Sequence, residues 1–300
     1  MKRVVTVPAT LDDRAFDALV EEIAGPAEET TEATRDELLF DAQHVRWADP
    51  YGMIGLLAIG TELRRQGGSP LLRLPEAPEV ISYLGRMGFL ALAGEAFDVH
   101  GESRSRRNGA SSVLLEITPI NSHEDVHGVI DHVMDRAGTI LTERLHYSRV
   151  DAGMFSMILS EVCQNIIEHA EVGGWVGIQT YNWARRLGRQ VVVIAVMDLG
   201  VGFRGSLARE HAARFADRWS DATALEAAFI HGTTRFRDPG RGQGLKQIRR
   251  RVTGWGGKVS VRSGNARIAD IPEWDDSPPL QQDLAYFPGS QILIVLPAKV

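Results

Sequence analysis

The chain is expected to be an α/β protein built as two domains, and three features of its 300 residues carry that expectation. Runs of β-branched residues such as QVVVIAVMD at 190–198 read as buried strands. Segments with apolar residues every three or four positions, such as 154–170, read as amphipathic helices. Between them, HGESRSRRNGASS at 100–112 has no hydrophobic period and divides the chain as a linker. The expected organisation is therefore 1–99, a linker at 100–112, and 113–300.

In the first domain, 4–7 predicts a short strand and 16–23 a helix. ELLFDA within 36–45 predicts a second strand, and 52–65 a helix carrying Ile54, Leu57, Ala58 and Leu63. After Gly67-Gly68 come a strand at 70–74 and a helix at 79–87 that stops near Gly88. Asp49 and Pro50 suit the start of the central helix as N-cap and first-turn proline.

In the second domain, strands are expected at 113–117, 175–181, 190–198, 258–262 and 291–296. Helices are expected at 124–145, 151–170, 207–230 and after Gly244. Asp270 to Pro288, with Glu273, Asp275, Asp276 and Asp283, reads as an acidic, proline-containing surface loop. His123 belongs near the cap of the helix that follows it. The residues after it lack the rest of a phosphoacceptor box, which argues against an autophosphorylating histidine kinase.

Composition narrows the function classes. A net charge of −6 and a pI near 5.9 argue against nucleic acid as the main partner. A single cysteine, Cys163, excludes an internal disulfide. The N-terminus has no signal-peptide core and no apolar run is long enough to span a bilayer, so a cytoplasmic protein without membrane contact is expected.

Three polar clusters carry the chemistry. Glu161, Asn165 and His169 are four residues apart and share one side of a helix. A glutamate there can deprotonate an attacking water, an asparagine can give Mg²⁺ an oxygen ligand, and a histidine can reach a phosphate oxygen. Asp198, at the end of an apolar strand, is followed by Gly200 and Gly202; a carboxylate there can accept an adenine amino proton. Gly240, Gly242 and Gly244 alternate just before a helical pattern beginning Leu245-Lys246, where backbone amides favour anions. The spacing is neither the dinucleotide-binding fingerprint nor a Walker A loop. Arg235, Arg237, Arg241 and Lys246 crowd the approach, with Lys246 best placed to neutralise phosphate charge. Taken singly each cluster is weak: the first reads more readily as the polar face of an amphipathic helix and the second as a strand followed by a turn, and for any one of the cations a solvated helix start serves equally well.

Taken in this order, ILSEVCQNIIEHA, VMDLGVGF and GRGQGLKQI resemble the N box and two glycine boxes of the GHKL superfamily, the ATP-binding fold of gyrase, heat-shock chaperones and histidine kinases. HGTTRF resembles part of that fold's nucleotide lid and GSQILIVLP its closing strand. The resemblance implies a Bergerat-type sandwich, a mixed sheet with helices on one face, over roughly 113–300. It implies ATP and Mg²⁺ as cofactors, Glu161 as the catalytic carboxylate, Asn165 as the metal ligand and Asp198 as the adenine reader. Gly200 and Gly202 would line the adenine side, and Gly240, Gly242 and Gly244 would embrace the phosphates. FDAQHVRWADPYGMIGLLAIG and the elements after it resemble a STAS domain, the anti-sigma-factor-antagonist fold, over about 1–99. Phosphorylatable members carry a serine after the Asp of the central helix, whereas this chain has Asp49-Pro50-Tyr51-Gly52. The implied partner is a protein docking on the STAS-like domain, with a homodimer admitted. The implied functions are an ATP-dependent switch with slow hydrolysis, a serine/threonine kinase acting in trans, or a non-catalytic ATP-holding adaptor.

Overall fold

The computed structural model describes residues 3–25, 38–101, 114–167, 172–184, 187–215, 218–233 and 244–299. It is an α/β structure with one parallel and one larger antiparallel sheet. The chain divides into two compact units, Met1–Ile117 and Thr118–Val300.

The first unit begins with β1 (Arg3–Thr6), β2 (Thr10–Leu11) and α1 (Asp13–Ala24). There follow β3 (Leu38–Asp41), β4 (Trp47–Ala48), α2 (Pro50–Arg65) and β5 (Leu71–Arg73). Helices α3 (Pro78–Arg86) and α4 (Phe89–Ala96) lead into β6 (Asp98–His100). The sheet order is β1-β3-β5-β6, parallel throughout. Parallel neighbours require crossover connections, and the helices supply them. Val5, Phe40 and Leu72 project into the core with Phe16, Leu57 and Phe97, and Phe40 meets Phe97 edge-on at 5.4 Å.

The short pair β2/β4 sets the starts of α1 and α2 side by side, and the Asp49 N–H donates to the Leu11 carbonyl. Asp12 caps α1, accepting from the Arg14 and Ala15 N–H groups. Asp49 caps α2, accepting from the Gly52 N–H at 2.8 Å, with Pro50 in the first turn as its sequence position predicts. Tyr51 is buried against Phe16. Gly88, at φ +78°, ends α3, but the chain re-enters a helix at once and β6 closes the expected first domain, while the expected linker at 100–112 lies, from 102 on, outside the described residues.

Strand β7 (Leu115–Ile120) runs across the division between the units, and α5 (His123–Thr139), a π turn (Ile140–Arg144) and α6 (Arg149–Asn165) follow it. His123 is the first residue of α5, where Asp125 accepts from the Asn121 and Ser122 N–H groups. After β8 (Gly174–Trp183) and β9 (Arg189–Asp198) come α7 (Gly202–Phe215) and α8 (Asp221–Phe229). One helix over 207–230 was expected; Ser220 interrupts it by capping α8 in a reciprocal box with Thr223. The unit closes with α9 (Gly244–Gly254), β10 (Lys258–Gly264), β11 (Ala266–Asp270), β12 (Leu280–Gln281) and β13 (Phe287–Pro297). Sheet order is β12-β11-β10-β13-β9-β8-β7.

Alternation along the strands gives this sheet two different faces. Val196 and Ile292 are register partners on one face. Arg262 and Gln291, also partners, lie on the other and are both buried. The segment after β11 accounts for part of that burial. Lys258 forms an ion pair with Asp275 at 3.2 Å and donates to Ser277. Arg262 donates to the Ala285 carbonyl, Trp274 donates to the Gly256 carbonyl, and its ring meets Trp183. The acidic stretch is a loop with Glu273, Asp276 and Asp283 exposed, as expected, and it is tied to the sheet at Asp275, because a buried lysine needs a carboxylate.

Candidate functional site

Helix α6 starts at Ser148, whose hydroxyl accepts from the Asp151 N–H, and buries Phe155, Ile158, Leu159, Val162 and Cys163. Glu161 and Asn165 therefore fall one turn apart at the edge of the buried stripe, both half-buried. Strand β9 is buried from Val191 onward and delivers Asp198 at its end. Helix α9 begins at Gly244 and sets Leu245, Ile248 and Val252 inward.

These elements enclose one cavity. Its wall includes Glu161, Asn165, Asp198, Gly202, Gly244 and Leu245, drawn from all three sequence clusters. Asp198 is 8% exposed. Its Oδ1 accepts from the Gly200 N–H at 2.8 Å, and Ser290 donates to it from backbone and side chain. Burial pushes its carboxyl up to about 6 against those hydrogen bonds. Such a group is an acceptor above that pH and a donor below it.

At the other glycine cluster, a Cβ on Gly244 would lie 2.0 Å from Glu161 Oε1, so the start of α9 packs directly against that side chain. Lys246 is exposed, its stem beside Gly232 rather than in the cavity wall. His169, Gly240, Gly242 and the arginines at 235, 237 and 241 lie outside the described residues. Gly200 contributes its N–H to Asp198 and is absent from the cavity wall.

The cavity also contains residues that the sequence did not single out: Phe203 and Leu207 from α7, Ala228 and Thr233 near the end of α8, and Ser290 and Ile292 from β13. Ser290 sits inside GSQILIVLP, so the motif was visible but the role of its hydroxyl was not. Phe203 directly follows Gly202, which is a signal of position only.

The wall combines an apolar part, including Val196, Ile292 and Phe203, with the acceptor Asp198, the carboxylate of Glu161, the amide of Asn165 and a glycine at a helix start. Among the described residues no group of three or more His, Cys, Asp or Glu is placed to hold a metal ion. No family model matches the chain, and no curated protein is significantly similar to it. No helix among the described residues is long and apolar enough to cross a membrane.

Proposed function

We propose that the second unit is a GHKL-type, Bergerat-fold ATP-binding domain and that the chain is an Mg·ATP-dependent regulatory switch with slow hydrolysis. In this reading the first unit is a STAS-like domain through which the nucleotide state reaches a protein partner. The observation that carries it is the convergence of Glu161, Asn165, Asp198, Gly202 and Gly244, separated by up to 83 positions, on one cavity.

The wall fits the implied ligand. Asp198 would accept the exocyclic amine of the base, with Val196, Ile292 and Phe203 against the ring. Asn165 would hold Mg²⁺ through its amide oxygen, leaving most of the shell to phosphates and water. The ion would neutralise phosphate charge. Glu161 would orient a water and take its proton, and the α9 amides would face the phosphates.

The test is a titration of the purified chain with γ-labelled ATP and Mg²⁺, following phosphate release and protein labelling together. Slow release without stable labelling is the expected result. Transfer to a separate serine-bearing protein would replace the switch with a kinase, and absence of nucleotide binding would overturn the reading.

A further inference from the structure

Ser263, the penultimate residue of β10, lies outside all three polar clusters and is 1% exposed. Its Oγ accepts from the Phe203 N–H at 3.1 Å and donates to the Gly289 carbonyl at 2.8 Å. One hydroxyl thus fastens the first turn of α7 to the segment entering the cavity face of β13. Both neighbours are glycines at positive φ, Gly202 at +63° and Gly289 at +76°. A Cβ on Gly202 would lie 2.5 Å from Ser263 Oγ, and one on Gly289 would lie 2.0 Å from the Asp198 carbonyl oxygen. The backbone is therefore drawn tight at both ends of the serine's reach. Its two partners precede or begin residues of the cavity wall, Phe203 itself and Ser290, and Ser290 binds the Asp198 carboxyl.

From this geometry we infer that Ser263 is the positioning residue that sets base selectivity at the cavity. It fixes Phe203 on one side and the Gly289–Ser290 segment on the other, so that Asp198 presents its acceptor in one orientation. Removing the hydroxyl leaves the buried Gly289 carbonyl and the half-buried Phe203 N–H without their shared partner, and such groups shift to find new ones. Asp198 then loses its directional constraint while the phosphate-facing end, built on α6 and α9, stays intact.

The inference rests on the nucleotide reading above, and its test separates the two. The intact chain is titrated by calorimetry with ATP and with inosine triphosphate, which bears a carbonyl where adenine bears the amine. Wild type is expected to favour ATP by about tenfold or more. Ser263→Ala should shrink that preference by about fivefold, mainly by weakening ATP. Ser263→Cys keeps a side chain of similar size with a poor hydrogen-bonding group, so it gives the same narrowing if Ser263→Ala does not fold. Ser263→Thr should restore the preference. Asp221→Asn loosens the same turn where Asp221 accepts from the Asn265 N–H, and should leave the ratio unchanged. Equal loss for both triphosphates in Ser263→Ala, or narrowing in Asp221→Asn, would reduce Ser263 to a structural clamp. A wild type that binds neither triphosphate would overturn the nucleotide reading, and this inference with it.

Discussion

The two units each bury an aspartate at the meeting of a strand and a helix, and the two aspartates answer to different neighbours. Asp49 is 5% exposed, accepts from the Gly52 N–H, and is raised well above the usual carboxylate range by burial, with Asp13 and Asp12 adding repulsion. Asp198 is 8% exposed, accepts from the Gly200 N–H, and is raised by burial to about 6. Both are buried, both accept from a glycine N–H, and both carboxyls are raised by burial. What separates them is open space, since Asp198 forms part of a cavity wall with apolar partners, whereas Asp49 closes a helix start beside the packed ring of Tyr51. A perturbed carboxyl is thus a site only where a ligand can reach it.

The largest effect expected lies in the second unit. Glu161→Ala should keep Mg·ATP yet lose a factor on the order of 10²–10⁴ in turnover, measured as labelled phosphate release. Hydrolysis at the wild-type rate would move the base elsewhere. The companion Asn165→Ala should weaken the Mg²⁺ dependence of binding instead.

A smaller effect sets the two aspartates against each other through pH. Each has a folded-state carboxyl raised above its unfolded value of about 3.9, so each contributes stability that is complete below that value. That contribution is lost as pH rises through the folded value, which for Asp198 is about 6. Asp49→Asn should therefore remove the share of that loss due to Asp49 and leave nucleotide affinity untouched, because Asn caps a helix as well as Asp does. Asp198 should also make adenosine binding strengthen as pH rises through about 6, since the ionised carboxyl is the better acceptor. Adenosine keeps phosphate titration out of that window. A pH-independent affinity would show that the carboxyl does not face the base.

The smallest expected signal is none. On the proposed STAS-like reading Tyr51 takes the place of an acceptor serine; it is buried edge-on against Phe16 and follows a proline in the first turn of α2. Mass spectrometry after incubation with Mg·ATP should find no stoichiometric phosphate in residues 1–99, in keeping with a docking surface that signals by contact.

The sequence was most legible where one local rule decides the outcome. Asp49-Pro50 has cap chemistry and a fixed φ, the valines before Asp198 have no reason to be elsewhere than in a buried strand, and Leu245, Ile248 and Val252 share a helical stripe. It was least legible where a distant partner decides. The acidic stretch after Asp270 has loop composition, but Lys258 and Arg262, on β10, supply the buried cations that tie it down. Helices α7 and α8 read as one because Ser220 is a weak interruption without Thr223 answering it. Ser263 and Ser290 are unremarkable letters until β10 and β13 pair in register, Ser263 with Ser290.

The central claim is that Asp198 reads a purine base. The direct measurement is calorimetric titration of ATP, with Mg²⁺, into wild type and Asp198→Asn, both shown to be folded. Loss of a charge-assisted hydrogen bond predicts a mutant weaker by about ten- to a hundredfold. Equal affinity in the two folded proteins would contradict the assignment.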